Sequence, residues 1–228
     1  MGVSAAKSLA WALDKPIIGV DHVQAHLYAG KLKQSGLPVR SASKGDEGSI
    51  LDQSLVPLTS QFALGLVVSG GHTSMYEVKS PTQLHLLGRT IDDAVGEAYD
   101  KAAVILGVPY PGGPNLDRLA QQALNAPSHP DPKPVTLPRS LLGPGNLDFS
   151  FSGLKTALLY AVRGIPQGRG SQSTFTRNIT DLTEAQRIAL AAAFQEAAID
   201  TLITKLNAGW HTSRTRTDPH RRSCLAEV

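Results

Sequence analysis

Apolar positions in the first residues recur at helical spacing: Val3, Ala6, Leu9, Ala10 and Leu13 fall on one face, and Pro16 closes the run. The short apolar run PIIGV at 16–20, rich in β-branched residues, predicts a buried strand. Helical spacing returns from His22 to about Lys33 through Val23, Leu27 and Leu32. Residues 34–60 mix Ser, Gly, Lys, Asp and Pro without a period, as a loop or domain boundary does. FALGLVVS at 62–69 then predicts an apolar strand running into Gly70-Gly71. TSMYEVK alternates as its antiparallel partner would, and LHLLGRT can supply a third strand.

Asp92 or Asp93 is the natural N-cap of a helix reaching about Leu106, ended by Gly107 and Pro109. Helices are also predicted over 115–124 and from Ser152 to Val162, with a Pro-rich loop at 125–150 and a polar, Gly-rich loop at 163–180. Thr183 and Glu184 open the strongest amphipathic pattern of the chain, EAQRIALAAAFQEAAIDTLITKL. After Asn207 that period vanishes. Residues 209–228 read as a disordered tail and a candidate for non-native coding sequence.

Composition adds bounds rather than identity. The 228 residues, 41% hydrophobic and 18% charged, can bury a substantial core. Of the net +3, residues 209–228 hold +2, with Arg214, Arg216, Arg221 and Arg222 against Asp218 and Glu227. The remaining +1 presents no basic stripe. A single cysteine, Cys224, rules out an internal disulfide framework and a Cys-rich zinc site and fits a reducing compartment. No run of 18 apolar residues and no secretory pattern is present, so a cytoplasmic protein is expected.

Three motifs can carry chemistry. In Asp21-His22-Val23-Gln24-Ala25-His26, histidines at i and i+4 share a helix face and can share a metal, or stand as an ordinary surface or core pair. A zinc protease needs Glu directly after the first His, and Val23 occupies that position. Val67-Val68-Ser69-Gly70-Gly71-His72-Thr73 ends a strand in two glycines. They admit an anionic or nucleotide ligand to the backbone, or simply make a tight turn. Asp93, Glu97, Asp100 and Lys101 line one side of a helix before Tyr110-Pro111-Gly112-Gly113-Pro114. A carboxylate there can hold a ribose hydroxyl, or the row can be a solvated face. Asp148-Phe149-Ser150-Phe151-Ser152-Gly153-Leu154-Lys155 reads as a helix capped by Ser152 with its Phe pair in a core.

Taken together and in order, these motifs, with IDDAVGEAYDKAAVILGVPYPGG and DFSFSGLKTAL, closely resemble the universal tRNA N6-adenosine threonylcarbamoyltransferase family, called TsaD in bacteria and formerly labelled glycoprotease. The resemblance covers about residues 2–205. It implies an α/β, actin-like or Hsp70-like ATPase fold, here incomplete, with remnants of two lobes and a cleft between them. Residues 1–60 would be the C-terminal remnant of the first lobe plus a linker, and 61–208 a second-lobe portion with a helical insertion.

The implied reaction moves a threonylcarbamoyl group from threonylcarbamoyl-adenylate to N6 of the adenine 3′ of the anticodon, in tRNAs reading ANN codons. By motif position, Val67, Val68, Ser69, Gly70, Gly71, Asp100 and Gly113 would contact the adenylate. His22 and His26 would be metal ligands for iron or zinc. Implied partners are tRNA and other proteins of the same machinery, and Lys155 and Arg163 are candidates for touching the anticodon arm.

The family's ETSCDET-like opening, its GGVAAN-like segment and the Asp of its CTDN-like motif, the third protein metal ligand, have no counterpart here, and Asp218 lies in the wrong context. An internal fragment of a longer protein, inactive in isolation, is therefore expected. The competing readings are an inactive fragment keeping a protein-binding surface on residues 1–33, a metalloprotease, and a small-molecule kinase of the same superfold.

Overall fold

The computed structural model describes residues 2–29, 63–80, 83–125, 135–168 and 174–217. The chain divides into two compact units, Met1–Pro57 and Leu58–Val228.

In the first unit, helix α1 (Gly2–Ala12) and helix α2 (His22–Ala29) form where the periodicity predicts them. The expected 30–33 end of the second helix lies outside the described residues. Asp21 caps α2 by accepting the Gln24 N–H at 2.8 Å. The PIIGV run is a correction. It is neither strand nor buried: Ile18 is 85% exposed, and residues 15–21 are irregular. A strand exists only through a ladder partner, and no described residue of this unit pairs with the run.

In the second unit, strands β1 (Ala63–Val68), β2 (Thr73–Ser80) and β3 (Gln83–Arg89) form an antiparallel sheet in chain order. Val68 pairs with Thr73 and Ala63 with Val78, the register that the short Ser69–His72 turn imposes. After β3 the chain pairs again, with 148–150: Phe149 N–H donates to Arg89 O and Ile91 N–H to Phe149 O, each at 3.0 Å.

Helices α3 (Val95–Ile105), α4 (Gly112–Asn125), α5 (Ser152–Arg163) and α6 (Glu184–Thr217) complete the unit. Met75, Leu106, Leu116, Leu154, Leu158, Phe149, Phe151 and Phe194 are fully buried in one core, where the two DFSFS phenyl rings stack at 6.5 Å. The opening of α6 follows its sequence signal: Thr183 Oγ1 accepts the Gln186 N–H, and Gln186 Oε1 accepts the Thr183 N–H. Among the described residues no helix is long and apolar enough to cross a membrane.

Helix α6 corrects the reading of 209–228 as a disordered tail, since 209–217 continue it. The buried stripe at its end is Thr201, Lys205, Gly209 and Ser213, one residue per turn and none of them hydrophobic. A hydrophobicity period cannot register such a face. Gly209 belongs there because a Cβ would come within 2.7 Å of the buried Met75 sulfur.

Lys205 Nζ donates to the carbonyls of Leu141 and Asn146, pinning the loop before Phe149. Burial pushes its pKa down, against the opposing pull of Asp148. Lys205→Met keeps the stem and strands both carbonyls. We expect a loss of about 1–3 kcal/mol in urea unfolding, and an unchanged midpoint would refute this role.

Candidate functional site

Residues Val67 to Thr73 connect the sheet to helix α3 through backbone contacts. Val67 is buried in the sheet and Val68 half exposed. Ser69 N–H donates to His72 O at 2.8 Å, and Ser69 Oγ accepts the N–H groups of His72 at 3.0 Å and Gly71 at 3.4 Å. The Ser69 hydroxyl therefore ties the turn together. Gly70 and Gly71 are not among the positive-φ residues, and a Cβ at either would meet nothing within 4 Å. Neither conformation nor packing demands glycine there. Their bareness leaves the turn open to an approaching molecule.

Helix α3 is docked on this turn. Gly96 N–H donates to Ser69 O at 3.3 Å, and a Cβ on Gly96 would stand 2.7 Å from both Ser69 O and Gly70 Cα. Buried Thr73 supplies the cap that the sequence assigns to Asp92 or Asp93: its Oγ1 accepts the Val95 N–H at 2.9 Å, while Ala94 holds the N-cap position. A hydroxyl on a neighbouring strand satisfies that donor as well as a local carboxylate would.

One turn further along α3, on the same face, Asp100 Oδ1 accepts the Gly113 N–H at 3.0 Å. Gly112 packs so closely that its Cβ would lie 2.6 Å from that oxygen. The structure thus brings Ser69 and Gly70 against Gly96, and Asp100 against Gly112 and Gly113, as one continuous wall about 6 Å long between Gly96 and Asp100. Next to Asp100, the half-buried Tyr99 phenol is pushed up to about 12 by burial and, secondarily, by the Asp117 carboxylate.

The freed aspartates serve another purpose, which sequence reasoning missed. Asp92 accepts Ser150 Oγ at 2.5 Å, Phe151 N–H at 2.9 Å and Ser152 Oγ at 2.7 Å, so Asp92 anchors the start of α5, where Phe151 rather than Ser152 holds the N-cap position. Asp93 binds Lys101 at 2.5 Å and Lys155 at 2.7 Å, and Lys101 also reaches Glu97 at 2.9 Å. Of these partners only Lys101 is near in sequence; Ser150, Phe151, Ser152 and Lys155 lie 58 to 62 positions away and leave no local signal.

Burial raises the Asp92 carboxyl, but the bonds from Ser150, Phe151 and Ser152 outweigh it and hold it below the ordinary value. Burial likewise raises Asp93, and Lys101 and Lys155 outweigh it. Depressed folded values mean stability present above the unfolded carboxylate range, near 4, and lost as pH falls through the lower folded values. The Asp92→Asn/Asp93→Asn variant should be less stable at neutral pH by about 1–3 kcal/mol. Its thermal midpoint should fall less than that of the parent between about pH 6 and pH 3; parallel falls would contradict the assignment.

His22 and His26 lie in the Met1–Pro57 unit, both exposed, with Nε2 atoms 3.1 Å apart and ring centroids 4.4 Å apart. They are not a core pair. Two nitrogens about 2.1 Å from one ion at near-right to tetrahedral angles stand about 3.0–3.4 Å apart, so the pair fits two positions of a shared ion. Among the described residues no group of three His, Cys, Asp or Glu is placed to hold a metal.

A family model described as tRNA N6-adenosine threonylcarbamoyltransferase, TsaD, matches residues 1–52 and 47–218. Curated relatives of that name include one from Moorella thermoacetica, 40% identical over 90% of this chain and 48% of its own length. Another, from Trichlorobacter lovleyi, is 42% identical over 91% of this chain and 48% of its own length. A third, from Rhodopirellula baltica, is 38% identical over 98% of this chain and 53% of its own length. The chain thus spans about half the length of the curated relatives it matches. With the order of motifs and nearly the whole chain matched, this α/β chain belongs to the TsaD family of tRNA N6-adenosine threonylcarbamoyltransferases.

Proposed function

We propose that the protein represented by this chain transfers threonylcarbamoyl from threonylcarbamoyl-adenylate to N6 of the adenine 3′ of the anticodon, and that the unit Leu58–Val228 supplies the adenylate-facing wall. The observation that carries the reading is the pair of bare glycines, Gly70 and Gly71, facing open space while Ser69 and Gly70 are locked to the α3 face that holds Asp100 and Gly113. Backbone at Gly70 and Gly71 would pass close to the phosphate, and the exposed Asp100 carboxylate, already oriented by Gly113, would take a ribose hydroxyl. Val67 and Val68 would fix the strand from which the turn projects.

In the reaction the adenine amine attacks the carbamoyl carbon. A C–N bond forms, the C–O bond to the phosphate breaks, AMP leaves with that electron pair, and the amine proton passes to solvent. The wall contributes positioning of the leaving group. His22 and His26 would hold one divalent ion, iron or zinc, whose chemistry when bound is to polarise a carbonyl. This reading includes the actin-like two-lobe arrangement with a cleft, residues 1–60 belonging to the first lobe and 61–208 to the second. It also includes tRNA and further proteins of the pathway as partners, and a cytoplasmic location.

The test is calorimetric titration of AMP into the purified chain. Saturable binding supports the reading, and no saturable heat sinks it. A second reading, a chain that keeps only a protein-binding surface, is favoured by helix α1, whose Leu9 and Trp11 are exposed, Trp11 to 87%. AMP binding separates the two.

A further inference from the structure

The end of α5 and the chain that returns along it form a single surface. Gly164 ends the helix with its N–H on Tyr160 O at 2.8 Å. Arg177 comes back alongside, its N–H on Arg163 O at 3.1 Å and its guanidinium on the carbonyls of Ala161 at 2.9 Å and Tyr160 at 3.3 Å. Between them Gln167 and Thr174 exchange both backbone hydrogen bonds at 2.9 Å. The Arg163 guanidinium stands 5.6 Å over the Phe175 ring. Tyr160, Arg163, Ile165, Phe175 and Arg177 are all exposed.

The charge here is one-sided. From Phe149 to Thr180 the chain has Lys155, Arg163, Arg169 and Arg177 and no Asp or Glu, so this stretch carries +4 where the whole chain carries +3. The near-neutral average over residues 1–208 conceals it. Lys155 is already paired with Asp93, which leaves Arg163 and Arg177 as the described cations of the surface.

Exposed rings beside guanidinium groups suit a polyanion with flat apolar faces. An acidic peptide uses the cations but not the rings, and duplex RNA hides its base faces in stacking. We propose that Tyr160, Arg163, Ile165, Phe175 and Arg177 form a docking surface for a single-stranded RNA loop, with phosphates on the arginines and a base on Phe175 or Tyr160. The identification of the polyanion as RNA rests on the tRNA-modifying reading above.

The test is fluorescence anisotropy of a labelled short RNA stem–loop against the full 228-residue chain, with circular dichroism confirming that each variant folds. Arg163→Glu should weaken binding about tenfold and lower the slope of log K against log salt by about one between about 50 and 200 mM. Phe175→Ala should weaken it about tenfold with the slope unchanged. Arg118→Glu, the same charge change on α4, should leave it within about twofold, because that arginine lies elsewhere and reaches Asn115.

Equal losses for Arg163→Glu and Arg118→Glu, undiminished binding by Phe175→Ala, or equal affinity for a blunt RNA duplex would each overturn the proposal. So would absence of stem–loop binding, with or without capture of anionic vesicles. AMP binding by a preparation that ignores the stem–loop would overturn this inference alone. Stem–loop binding with the expected losses in a preparation that ignores AMP would uphold the surface and remove the adenylate reading.

Discussion

Gly70→Val is expected to lower the affinity for AMP by at least about tenfold, 1.4 kcal/mol, while the thermal midpoint stays within a few degrees of the parent. The expectation follows from two facts about one residue. A Cβ at Gly70 meets no atom within 4 Å, and Gly70 is not at positive φ, so the first carbon of an added side chain has open space and the backbone is not strained. The space it fills is the space the proposed adenylate needs. A β-branched side chain there would hold the phosphate off the backbone N–H groups that only close approach can use. Calorimetric titration of parent and variant, with their melting curves, decides the matter. Unchanged affinity would mean that AMP, if it binds, binds elsewhere. A collapse of the midpoint would mean that the glycine serves folding after all.

Phe194→Ala should bring the largest loss of stability, about 3–5 kcal/mol. At this chain length that corresponds to a midpoint drop on the order of 10 °C. Phe194 is fully buried on α6 and meets Tyr99 edge to face, centroids 5.3 Å apart at 79°. Its neighbours Ala191, Ala197 and Ala198 are small and fully buried, which brings α6 close to its neighbours and leaves them nothing long enough to refill the hole. Tyr99 immediately precedes Asp100, so the cavity opens behind the Asp100–Gly113 bond, and AMP affinity should fall along with stability. Phe194→Leu should recover most of both. A loss under about 1 kcal/mol for Phe194→Ala would show that the helices close over the gap.

The elements whose stability is local were legible in the chain. Helical spacing marked α1 and the Thr183–Gln186 box marked the start of α6, because each depends on residues within a few positions of one another, and alternation in TSMYEVK marked β2, whose ladder partners β1 and β3 adjoin it in the chain. The family motifs were equally readable, and the matched relatives bear out the family. Other features depended on contacts that no window contains. PIIGV had every strand-forming residue and no partner to pair with. The end of α6 had a partner, Met75, but a buried stripe of Thr, Lys, Gly and Ser that hydropathy cannot see.

Asp92 and Asp93 had the composition of a local cap, yet went to Ser150, Ser152, Lys101 and Lys155, while a threonine from β2 took their place on α3. The sequence by itself determined the family and the presence of the three strands and six α-helices of the described residues, but not that PIIGV stays irregular or that α6 runs on through 209–217. Tertiary structure alone decided which donor meets which acceptor across the chain, and so that Ser69, Gly70, Asp100 and Gly113 stand along one helix face. The physical reason is that a hydrogen bond or a glycine-permitted close approach is set by distance in space, and residues far apart in sequence satisfy it as well as near ones.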